Sequence, residues 1–272
     1  MESIKTHHLD IAYEETVIVK NLDLKIPSGK ITSIIGPNGC GKSTVLKALG
    51  RILKPKSGTI LLKGQDIHQL KTKEIAKKMA ILPQTPTAPS GLAVQDLIAY
   101  GRFPHQSGFG KLNQKDIEMI DWALSVTRLT DLKLREVDTL SGGQRQRVWI
   151  AMALAQETDL ILLDEPTTYL DLAHQLEILE LLKDLNENQG CTIAMVLHDL
   201  NLAARFSDYM IAVREGGIVK EGIPDQVMTA AVLKKVFSID AEIVRDPRLG
   251  HPVCITYDIL KEEPVKKAVI AI

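Results

Sequence analysis

Apolar positions fall into short runs separated by turns bearing glycine and proline, and their period changes along the chain. Segments 16–26 and 30–35 read as strands, with Ser28-Gly29 as the turn between them. After a glycine-rich loop at 36–41, a helical period places Val45, Leu46, Leu49, Ile52 and Leu53 on one face, and Pro55 stops it. A short strand follows at 59–62, and the lysine-rich stretch 71–79 reads as a solvated helix face ending at Ala80-Ile81-Leu82. The segment 83–90, rich in proline and threonine, is the clearest internal boundary. Helices are expected over 92–100 and 113–124, so residues from about 86 to 140 form a helical insertion, with a Gly- and Pro-bearing linker at 101–110.

Past Ser141 a long helix is expected to about residue 156, and then Leu160-Ile161-Leu162-Leu163 runs apolar without a break. Such a run marks a strand buried on both faces of a parallel sheet. An amphipathic helix over 172–186, a buried strand over 192–197 and a helix over 200–205 follow. Strands at 210–213 and 218–220 flank Gly216-Gly217, a hairpin turn. Strands alternating with helices predict an α/β fold with a parallel sheet. The reading divides the chain into residues 1–240 and a C-terminal extension at 241–272, of which 261–272 is expected to fray.

Composition narrows the class. The 272 residues allow one large domain or two small ones, and 45% hydrophobic content is ample for a core. A net charge of -1 argues against nucleic acid as a partner held by the overall field. No apolar run approaches the roughly 18 residues that mark a membrane span, and the first ten residues lack a signal-peptide core. Cys40, Cys191 and Cys254 are far apart and match neither a metal spacing nor a disulfide framework, which points to a reducing compartment.

Chemistry enters at the loop. Gly36-Pro37-Asn38-Gly39-Cys40-Gly41-Lys42-Ser43-Thr44 fits G-x-x-x-x-G-K-[ST] between a strand and a helix, a nucleotide-binding phosphate loop. The glycines let backbone N–H groups turn inward around phosphate oxygens, Lys42 reaches the outer phosphates, and Ser43 takes a place on Mg²⁺. Cys40 reads as a small residue that fits the loop, and its alkylation is expected to inhibit the protein, with Mg-ATP protecting. Downstream, Asp164-Glu165 ends the apolar run at the carboxyl edge of the sheet, where ligands of open α/β folds sit. Asp164 suits Mg²⁺ through its water shell, and Glu165 suits a base that polarises the attacking water.

Most phosphate-loop proteins lack the string Leu140-Ser141-Gly142-Gly143-Gln144. Ser141 can cap the following helix and leave free N–H groups aimed at an anion. Here the sequence resembles the ATP-binding cassette (ABC) family. The resemblance implies a P-loop NTPase of the ABC ATPase type: a mainly parallel sheet core, an N-terminal antiparallel β subdomain and an inserted α-helical subdomain. It implies ATP and Mg²⁺, and a head-to-tail homodimer in which Ser141, Gly142, Gly143 and Gln144 close over the partner's nucleotide. Tyr13 then matches the aromatic that stacks on adenine, and Gln84 the glutamine that senses Mg²⁺ and the γ-phosphate. Asp171 matches the loop that crosses the dimer interface, and His198 the histidine that contacts the γ-phosphate. The implied catalytic set is Glu165, His198 and Gln84, and the implied metal set is Ser43, Gln84 and Asp164.

Three strings resemble the subgroup that energises bacterial iron–siderophore uptake, with haem and cobalamin importers as close relatives. They are Glu165 to Gln175, Tyr100-Gly101-Arg102-Phe103-Pro104-His105, and 243–257 with Asp246-Pro247-Arg248. The resemblance implies a stand-alone ATPase subunit at the cytoplasmic face of the membrane. Its implied partners are transmembrane permease subunits, docked near residues 92–102, and indirectly an extracytoplasmic substrate-binding protein. No Cys/His cluster is present to hold iron, so cargo choice falls to those partners. Haem, cobalamin or another metal cargo, or a soluble cassette outside transport, are the alternatives.

Overall fold

The computed structural model describes residues 2–106 and 111–260, so the expected frayed tail at 261–272 and part of the 101–110 linker lie outside the described residues. The chain opens with β1 (Glu2–Tyr13), β2 (Thr16–Leu22), β3 (Lys25–Pro27) and β4 (Ile31–Ile35), then α1 (Lys42–Leu49), β5 (Ser57–Leu62) and β6 (Gln65–Asp66). Helix α2 (Thr72–Ala76) leads into β7 (Met79–Leu82), followed by α3 (Val94–Ala99), α4 (Gln114–Val126) and α5 (Gly142–Ala155). The second half runs β8 (Leu160–Asp164), α6 (Leu172–Gln189), β9 (Thr192–Val196), α7 (Leu200–Phe206), β10 (Tyr209–Arg214) and β11 (Gly217–Gly222). Helices α8 (Pro224–Val227) and α9 (Ala230–Phe237) and a hairpin of β12 (Ile239–Arg245) and β13 (Pro252–Ile259) complete it.

Six strands form one sheet in the order β11-β10-β4-β9-β8-β7, parallel except for the β10–β11 hairpin. Every residue of β4, β8 and β9 is buried, which is why these strands carry no exposed polar face and their sequences show no polar–apolar alternation. The pleat still sorts them. Ile161 and Leu163 join the core beneath α5, α6 and the helical insertion, whereas Leu160 and Leu162 pack towards α1 and the N-terminal strands. Those strands form a second, antiparallel sheet, β2-β1-β5-β6, with β3 paired to β1.

Three local expectations are corrected. The span 16–26 is two strands, β2 ending at Leu22 and β3 beginning at Lys25, because the Leu24 amide between them donates to the Thr6 hydroxyl at 2.8 Å rather than to a backbone carbonyl. The helix read to Leu53 stops at Leu49: Arg51 is left-handed, and the Ile52 and Leu53 amides turn back onto the Lys47 carbonyl at 2.9 and 3.1 Å. Ile52 is consequently 57% exposed rather than on the buried face. The apolar Met79–Leu82 is an edge strand of the parallel sheet.

Between β7 and α5 lie the helices α3 and α4. Asn113 caps α4 through a reciprocal pair with Asp116, and each bond is 3.0 Å. The same Asp116 receives Arg102 Nε at 2.9 Å, and Arg102 Nη1 donates to the Ala155 carbonyl at 2.6 Å. The helical segment is thus pinned to the end of α5 by one guanidinium that is 1% exposed.

Candidate nucleotide site

The site grows from β4. Its last residue, Ile35, delivers Gly36 against β10 so closely that a Cβ would overlap the Val213 carbonyl oxygen. Gly41 holds φ 101°, a left-handed conformation costly for any side chain, and turns the chain into α1. The loop's N–H groups and the positive end of α1 therefore face one space. Lys42 folds over the loop, donating to the Gly36 and Pro37 carbonyls at 2.9 and 3.0 Å.

Three neighbouring strands then place three polar side chains together. Gln84 follows β7, Glu165 follows β8 and His198 follows β9, and β7, β8 and β9 lie side by side. Their carboxyl ends open beside the phosphate loop, as ligand sites in open α/β sheets do. Glu165 is held at both oxygens: Gln84 Nε2 donates to Oε2 at 2.5 Å, and His198 Nε2 lies 2.6 Å from Oε1. The residue also adopts φ 54°, a left-handed strain of the kind that concentrates at functional positions.

Thr168 Oγ1 adds a third bond to Glu165 at 3.0 Å, a residue the sequence reading passed over. Pro166 and the 3.3 Å bond from the Thr168 amide to the Glu165 carbonyl close a turn that sets residue i+3 beside residue i. The proline was the available signal.

Asp164 is 3% exposed, and its Oδ1 accepts from Ser43 Oγ at 2.8 Å. Its Oδ2 has no partner although it is buried. Burial pushes this carboxyl up, and the Glu165 charge adds to the shift against the Ser43 hydrogen bond. An unpartnered buried carboxylate oxygen beside a hydroxyl fits a divalent cation, which takes oxygen ligands and often keeps its waters.

A pocket of about 470 Å³ is lined by Tyr13, Ile18, Asn38, Gly39, Gly41, Lys42, Ser43, Thr44, Gln84, Glu165, Thr168, Tyr169 and His198, with Asp164 reaching it only through Ser43 and with Gly36, Pro37 and Cys40 outside its walls. Ser141, Gly142, Gly143, Gln144 and Asp171 are not among its walls. Ser141 instead caps α5, accepting from the Gln144 amide at 3.3 Å while Gln144 Oε1 accepts from the Ser141 amide at 3.1 Å. Asp171 caps α6. Beside it Tyr169 and Leu172 stand 88% and 75% exposed, uncovered by any other side chain among the described residues.

Cys40 is less accessible than the alkylation expectation supposes. The thiol belongs to the core beneath α1, is 5% exposed, and is pushed up by burial against the charge of Lys42. Burial and the Asp159 charge push Cys191 up to about 12, and burial also raises Cys254. Since the thiolate is the nucleophile, the native chain is expected to react with Ellman's reagent at neutral pH at least about tenfold more slowly than the unfolded chain, and faster as pH rises. A rapid equivalent lost on Cys40→Ala would contradict this.

Among the described residues no helix is long and apolar enough to cross a membrane, and no group of three or more His, Cys, Asp or Glu could hold a metal ion. Residues 19–168 match the family model described as ABC transporter. The chain is 62% identical to the iron(3+)-hydroxamate import ATP-binding protein FhuC of Bacillus subtilis, over 97% of this chain and 98% of that one. It is 45% identical to the ferric enterobactin transport ATP-binding protein FepC of Escherichia coli, over 93% of each. The ATP-binding cassette MJ0796, solved as a dimer in a post-hydrolysis state with ADP and Pi, superposes with a TM-score of 0.71 at 30% identity, covering 81% of this chain and 98% of that one. With this domain, these relatives and this pocket, the chain belongs to the ABC transporter family as an ATP-binding cassette.

Proposed function

We propose that the chain hydrolyses ATP to drive import of iron(III) chelated by a siderophore, of the hydroxamate class in the first instance. The observation that carries the hydrolytic reading is Glu165, held at both oxygens by Gln84, Thr168 and His198 at the mouth of the phosphate-loop pocket. The cargo reading rests on the 62% identity to an iron(3+)-hydroxamate import subunit. No residue here contacts iron on this account.

Tyr13 stands at the pocket rim, where an adenine ring can lie against it. The loop from Gly36 to Thr44 takes the phosphates, with Lys42 leaving the Gly36 and Pro37 carbonyls for the outer ones. Ser43 and Asp164, with Gln84 alongside, would hold Mg²⁺, which would neutralise charge on the phosphate oxygens. Glu165 accepts a proton from the attacking water, and His198 orients the carboxylate that does so.

A second copy completes the site. Ser141, Gly142, Gly143 and Gln144 present a capped helix start with free N–H groups, which closes on the γ-phosphate in the partner subunit. Asp171 and the exposed Tyr169 and Leu172 cross the same interface. ATP draws the halves together, and loss of the γ-phosphate removes the differential contact. Residues 1–240 act as the cassette, the segment at about 86–140 as a helical subdomain, and 241–272 as an extension. The stacked Tyr100 and Phe103 rings, 5.0 Å apart and partly exposed, mark the surface near 92–102 where permease subunits dock at the cytoplasmic face of the membrane. An extracytoplasmic binding protein delivers the chelate to those subunits.

The test is uptake of labelled chelates by a strain lacking the gene. Loss of ferric hydroxamate uptake, restored by the wild-type gene, is expected, with haem and cobalamin uptake unchanged. A defect confined to haem or cobalamin would move the cargo.

A further inference from the structure

The loop that ends in Asp171 and the first turn of α5 lie far apart in sequence, and in the fold a single side chain joins them. His174, on the first turn of α6, donates its backbone amide to Asp171 Oδ1 at 2.9 Å, and its ring Nδ1 lies 2.7 Å from the same oxygen. These two bonds are the main reason the Asp171 carboxyl sits below the usual carboxylate range. The other side of the ring rests on α5. A Cβ on Gly143 would lie 2.7 Å from His174 Cδ2 and 3.1 Å from Cγ, whereas one on Gly142 would meet open space. One turn further along both helices, Arg147 pairs with Glu177 at 3.2 Å and holds the same two elements together.

Glycine at position 143 is not needed for the helix itself, where alanine is the better former by about 1 kcal/mol. Within this chain it is the imidazole that occupies the space a methyl group would take.

We propose that His174 is a positioning residue for ATP turnover: it locks the Asp171 loop onto the start of α5, so that the two segments meeting the partner subunit move as one body. This rests on the ATP-sandwich dimer proposed above. His174 lines no part of the phosphate-loop pocket. Its loss therefore affects the assembled site and leaves ATP binding to one chain unchanged.

The full chain tests this by turnover and by sizing. His174→Ala is expected to lower turnover at saturating ATP about tenfold, with binding of ATP to the single chain unchanged, since displaced reacting groups cost rate steeply. His174→Asn keeps a donor at the Nδ1 position and is expected to recover most of that loss. In the Glu165→Gln background, which should dimerise with ATP, adding His174→Ala should raise the ATP needed for dimer about tenfold. Wild-type kcat in His174→Ala, or His174→Asn as slow as alanine, overturns the inference. So does a Glu165→Gln dimer indifferent to His174→Ala, which would leave the sandwich itself standing. A Glu165→Gln chain that binds ATP and stays monomeric would overturn the sandwich, and the inference with it.

Discussion

Glu165→Gln is expected to bind ATP as tightly as wild type and to hydrolyse it about 10²- to 10⁴-fold more slowly, the usual worth of a positioned base. The substitution is nearly isosteric, and the surroundings favour its retention. Gln84 Nε2 and Thr168 Oγ1 converge on one side-chain oxygen, which an amide oxygen replaces, and the amide nitrogen can face His198. What disappears is proton affinity. Because the γ-phosphate then stays in place, the variant accumulates as an ATP-bound dimer. Rapid-quench turnover and sizing with ATP read both effects, and turnover within twofold of wild type would remove Glu165 from the base role.

Arg102→Ala has the largest expected effect on stability. Its guanidinium is 1% exposed and reaches Asp116, the Ala155 carbonyl and, at 3.3 Å, Glu157. Burial alone would push the Asp116 carboxyl up, but the Asn113 amide and the Arg102 charge hold it below the usual range. Removing the arginine leaves that carboxylate buried without its charge partner, a change that typically costs about 3–5 kcal/mol. For a chain of this size the melting midpoint should fall by about 10 °C. Arg102→Lys, which keeps the charge without the planar fork, should fall between. The stability that wild type draws from Asp116 is present above the unfolded carboxylate pKa near ~3.9, and it is lost as pH falls through the lower folded value. An unchanged midpoint in Arg102→Ala would show that the pin carries no load.

Arg102 also marks a limit of sequence reading. It stands in a string singled out for resemblance alone, and nothing in its neighbours reveals that it is buried, because Asp116 and Ala155 come from other helices. The phosphate loop was legible for the opposite reason: its demands for left-handed glycine at 39 and 41 and for Lys42-Ser43 are contiguous. The cluster at Glu165 lies between. Each member follows a recognisable apolar run, but the periodicity of a strand says nothing about which strand lies next to it. Only the order β7-β8-β9 turns three strand ends into one site.

β1 was invisible to the period-two pattern because register shifts near Leu9 and Ile11 and a left-handed His8 interrupt the alternation. Its buried Thr6 reads as polar, yet its hydroxyl is satisfied by the Leu22 carbonyl and the Leu24 amide, both at 2.8 Å. The β12–β13 hairpin carries exposed Ile255, Tyr257 and Ile259, so burial does not sharpen its alternation either.

Hydrolysis at Glu165 is expected to drive entry of a ferric chelate through membrane partners. Its most direct test is uptake of a labelled ferric hydroxamate in the gene-deletion strain carrying either wild type or Glu165→Gln, with both proteins matched for abundance in the membrane fraction. Uptake is expected with wild type and only background uptake with Glu165→Gln. Equal uptake with the two would contradict it.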